Sequence, residues 1–69
     1  MGETEARQAL HDALEAMVDG PSPSVSPTEY GVSTDQLFEI AGELRDELRS
    51  GALIAWTDDG SLRFEQRLL

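Results

Sequence analysis

The chain has no cysteine, no lysine and a single histidine, His11. A disulfide framework is therefore excluded, and a zinc site of the usual Cys/His type has too few ligands. His11 sits between Leu10 and Asp12 and reads as a surface or boundary residue, so no nucleophile–base pair is available for acid–base or covalent catalysis. Glycines are isolated, which leaves no Gly-rich phosphate loop. Asp58 and Asp59 lack the alternating ligands and closing Glu of a calcium loop, and read as turn formers. Catalytic residues, cofactor and metal are accordingly all expected to be none. No apolar run approaches the ~18 residues of a membrane span, and the first residues lack the basic and apolar regions of a signal peptide. A cytoplasmic protein with no membrane contact is expected. Positive charge is scarce too: five arginines face fourteen Asp and Glu, giving a net charge of −9 and a pI near 4.2. Arg7, Arg45, Arg49, Arg63 and Arg67 are separated by acids and apolar residues, a poor arrangement for displacing counterions from nucleic acid.

What is present fits one small domain, residues 1–69, near the size at which a chain buries only about 60% of its unfolded surface. Ala6, Leu10, Ala13, Leu14, Met17 and Val18 recur at helical spacing and predict a first helix over residues 5–19. Thr4 is its expected N-cap, Glu3 and Arg7 an i, i+4 pair, and Gly20 a left-handed stop before Pro21. Residues 20–31 hold all three prolines and read as a connection, with one capped turn at Ser26–Glu29 and Tyr30 as its anchor on the core. Ser33 and Gln36 have capping-box spacing and open a second helix over residues 34–50. Its buried stripe is Leu37, Ile40, Ala41, Leu44 and Leu48, and Gly51 is the expected C-terminal glycine.

Residues 52–66 read as a hairpin around Asp58-Asp59-Gly60. A two-residue turn would set Ile54 against Glu65 and mix the two faces. A three-residue loop with Gly60 in a left-handed bulge sets Ile54 against Phe64 and Trp56 against Leu62, giving one apolar face turned to the helices. The second register is expected, with Leu53 on the outer face alongside Ala55, Arg63 and Glu65.

Phe38, Gly42, Arg45 and Arg49 form a stripe beside the buried face of the second helix. Gly42 costs about 1 kcal/mol relative to alanine there, which either close helix packing or a contact surface would offset. Candidate partner-binding residues are Phe38, Arg45 and Arg49 on this stripe, Leu53, Arg63 and Arg67 on the outer hairpin face, and the apolar end Leu68 and Leu69.

A helix ending in Leu48-Arg49-Ser50-Gly51, followed by Leu53-Ile54, a turn with Gly60 and a returning strand, resembles the C-terminal half of winged helix-turn-helix domains over residues 26–66. The resemblance implies that residues 34–50 would be the recognition helix and Trp56 to Leu62 the wing, whose tip here carries Asp58 and Asp59 in place of cations. The expected fold is α+β, two helices plus a single helical turn packed on a C-terminal antiparallel hairpin, winged-helix-like. The expected function is that of a non-enzymatic protein-interaction or regulatory module, with a protein partner or a second copy. The alternatives are a winged-helix DNA-binding regulator using Arg45, Arg49, Arg63 and Arg67, and a DNA-mimic inhibitor using the helix acids as phosphate surrogates.

Overall fold

Residues 2–66 are described by the computed structural model. Their order is α1 (Glu3–Ala16), α2 (Pro27–Tyr30), α3 (Thr34–Glu47), β1 (Leu53–Trp56) and β2 (Leu62–Glu65). The two long helices pack on each other and on the antiparallel hairpin, an α+β arrangement. Ala6, Leu10, Ala13 and Leu14 of α1 meet Leu37, Ile40, Ala41 and Leu44 of α3, and Leu62 and Phe64 of β2 close the core. These apolar positions recur every three to four residues along each helix, so a single stripe suffices to bury them all. Arg7 reaches across from α1 to Glu43 of α3 at 2.8 Å instead of pairing locally with Glu3. This hydrogen bond raises the guanidinium pKa above its ordinary value.

The hairpin adopts the three-residue loop. Ile54 lies opposite Phe64, Ala55 opposite Arg63 and Trp56 opposite Leu62, and Gly60 has φ +87. Asp59 holds the tip together by accepting from the Thr57 hydroxyl and from the Ser61 amide. Both bonds favour its ionised form and lower its pKa. Trp56 shares a face with Ile54, as expected, but is 42% exposed, so the helices do not bury the end of that face. Trp56 stands on an edge strand, with a neighbouring strand on one side only.

Helix ends differ from the sequence expectation. Thr4 lies inside α1, and Gly2 occupies the cap position. At the other end the amides of Val18 and Asp19 bond back three residues, to Glu15 and Ala16, so the turn tightens and the 100° period is lost. Val18, expected in the buried stripe, is 72% exposed. Gly20 is not left-handed, because the residue before a proline is pushed toward extended conformations. In α3, the Ser50 amide bonds to the Arg45 carbonyl and the Arg49 amide to that of Asp46. This is a Schellman closure, and it places Arg49, not Gly51, in the left-handed region at φ 52. The early stop lets Ala52 enter the core, where its amide is capped by the Ser50 hydroxyl at 3.1 Å. Leu48 is consequently left half exposed.

The connection is more than a loop. Val25 and Leu62 exchange two backbone hydrogen bonds of 2.8 Å each, an isolated antiparallel bridge on the far side of β2 from β1. Buried Ser22 donates to the Phe64 carbonyl at 2.6 Å. Pro27 is buried, while Ser26 meets the Thr28 hydroxyl instead of capping the Glu29 amide. Ser33 does cap α3, accepting from the Gln36 amide at 3.1 Å.

Candidate interaction surfaces

Phe38, Gly42 and Arg45 occupy positions i, i+4 and i+7 of α3 and therefore share one side of it. Phe38 is 47% exposed. Among the described residues nothing lies within 4 Å of a Cβ built on Gly42, so they supply none of the close packing that could have justified a glycine. Arg45 lies beside its neighbour Asp46, at 3.8 Å. Arg49 does not continue the stripe, since the left-handed turn at that residue ends the helical period.

On the hairpin, Leu53 is half exposed on the outer face as expected, and Arg63 on that face is engaged with Glu65 at 3.2 Å. Candidate contacts thus fall into two groups, the α3 side and the outer hairpin face. Arg67, Leu68 and Leu69 lie outside the described residues.

A third surface was missed by sequence reasoning. Val18 and Leu48, both outside the helical stretches that bury their neighbours, flank a shallow groove of about 340 Å³ lined also by Leu14, Glu15, Met17 and Ser50. The available signal was their position: each is the last large apolar residue before a breaker, Asp19-Gly20-Pro21 or Ser50-Gly51.

His11 is partly exposed, with Nδ1 3.2 Å from the Glu15 carboxylate. Among the described residues no three His, Cys, Asp or Glu side chains come together as a metal site, and no helix is long and apolar enough to cross a membrane. Set against known proteins, the chain matches no family model, and no curated protein or solved structure is significantly similar to it.

Proposed function

We propose that the protein is a non-enzymatic interaction module whose contact surface for a protein partner is the Phe38–Gly42–Arg45 side of α3. The observation that carries this reading is Gly42. A glycine in a helix interior forgoes about 1 kcal/mol, and no atom of the described residues approaches closely enough to need the missing side chain. Beside it, Phe38 leaves an aromatic ring half in water. A partner backbone lying against Gly42, with Phe38 and Arg45 as flanking anchors, would offset both costs, and Phe and Arg are residue types enriched at interfaces.

A second reading, a winged-helix regulator of DNA, is favoured by one observation. Only Gly31, Val32 and Ser33 separate α2 from α3, with Gly31 left-handed at φ 70, which is a helix-turn-helix spacing. Against it stand the charges. A recognition helix meets bases through its N-terminal residues, and here those include Asp35 and Glu39. The wing tip presents Asp58 and Asp59, and phosphates would be repelled at both places.

Affinity capture with the tagged full chain, run in parallel with Gly42→Ala and Phe38→Ala, tests the first reading. A bound protein should be lost with both variants, while thermal denaturation shows Gly42→Ala to be the more stable chain. Retention of that protein by both variants would remove α3 as the surface. Sub-micromolar binding of duplex DNA, weakening steeply with salt, would transfer the assignment to the second reading.

A further inference from the structure

We propose that the free edge of β1 is a self-association surface, on which a second copy of this chain adds its own β1 antiparallel about a two-fold axis through Ala55. In an antiparallel ladder, alternate residues point their amide and carbonyl toward one neighbour. The Thr57 amide donates to Ser61, so Ala55 and Leu53 also face β2, and Ile54 and Trp56 face away from it. The amides and carbonyls of Ile54 and Trp56 have no hydrogen-bond partner among the described residues.

These four groups are self-complementary. With Ala55 facing Ala55 of the second copy, Ile54 comes opposite Trp56 of that copy and Trp56 opposite its Ile54. Each such pair exchanges two backbone bonds, so every free group on the edge is satisfied. The axial pair is of the narrow, non-hydrogen-bonded kind, with Cα atoms about 4.5 Å apart, and alanine is the smallest residue of the strand. The exposed Trp56 ring gains a β-branched neighbour across the join, and Leu53 and Ala55 of the two copies merge into one apolar strip on the outer face.

The two-fold register identifies the occupant as a second copy. Two chains of net charge −9 repel, but Leu53-Ile54-Ala55-Trp56 is a stretch without any ionisable side chain, so the strand itself adds nothing to that repulsion. Asp58 would come level with Ala52 of the other copy, not with an acid. Edges that stay single are ordinarily guarded by lysine, proline or a bulge, and β1 carries none of these. The α3 reading is independent of this one, since Phe38 and Gly42 take no part in the join.

Sedimentation of the full chain from low-micromolar to millimolar concentration, at low and at molar NaCl, is the test. The wild type should move from monomer toward dimer, more readily in high salt because the repulsion is screened. Ala55→Glu should remain monomeric throughout: two carboxylates meet on the axis, whereas within one copy the new Glu lies opposite Arg63 and the fold is kept. Leu48→Ser should associate as the wild type does. A wild type that stays monomeric at millimolar concentration in molar salt overturns the proposal, as does association that survives Ala55→Glu or is abolished by Leu48→Ser. Should Ala55→Glu fail to fold, a sample mixing isotope-labelled and unlabelled wild type decides: contacts between Ala55 methyl groups of different copies support the join, and their absence from an associated sample refutes it.

Discussion

Along β2, the amide and carbonyl of Leu62 are both bonded to Val25, and the carbonyl of Phe64 accepts from the Ser22 hydroxyl. Along β1, Ile54 and Trp56 turn the same kinds of group away from the sheet, and nothing among the described residues meets them. On the helix-facing side the burial of the side chains follows this difference: Leu62 and Phe64 are almost completely buried, whereas Trp56 remains 42% exposed. A two-stranded ribbon is marginal alone. Here the Pro- and Ser-rich connection, by docking on one edge, completes the burial of that strand, and the other edge is left unpaired among the described residues.

The largest test of this asymmetry compares one aromatic from each edge. Phe64→Ala should cost about 3–5 kcal/mol, enough to unfold a domain of this size. Trp56→Ala should cost much less, about 1–2 kcal/mol, because its ring is only partly removed from water. Urea denaturation of the two variants reads the difference directly, and equal costs would mean that the β1 edge is as well covered as the other. A smaller effect is expected from Ser22→Ala, which leaves the Phe64 carbonyl buried without its donor, at about 1–3 kcal/mol. If instead the variant melts like the wild type, the connection does not hold that edge. The smallest concerns the tip joining the two strands. Asp59 has its pKa lowered by the Thr57 and Ser61 bonds, so its contribution is fully present above the ordinary Asp value of 3.8 and is lost as pH falls through the lower folded value. In an acid titration followed by amide chemical shifts, the Ser61 signal should show a step with its midpoint below the ordinary Asp value of 3.8, and in Asp59→Asn that step should vanish.

Much of this asymmetry could be read from residue order, and its missing half shows what residue order does not carry. The hairpin register was legible because Ile54, Trp56, Leu62 and Phe64 alternate with period two and Gly60 permits only one bulged loop that keeps them on one face. The start of α3 was legible in Ser33 and Gln36, since a cap is a contact between near neighbours. The Val25 bridge was not. A single rung has no period, and its partner is distant in sequence, so only the folded chain reveals that Leu62 needs it. The helix ends were misjudged for a related reason. Gly20 and Gly51 look like stops, but proline on one side and the need to bring Ala52 into the core on the other moved the real ends to Ala16 and Glu47. On the candidate surface, Phe38, Arg45 and Leu53 lie where helical and strand periods put them. The groove between Val18 and Leu48 emerges only once both helices stop short.

Amide hydrogen exchange at the two edges, followed in one sample series on dilution, tests the central claim most directly. The Val25 and Leu62 amides should stay protected to the same degree at every concentration, because their bonds lie within the chain. Those of Ile54 and Trp56 should exchange freely when dilute and slow by about tenfold or more as the chain is concentrated. Ile54 and Trp56 amides as protected in the dilute monomer as those of Val25 and Leu62 would contradict the account, since the β1 edge would then already be closed.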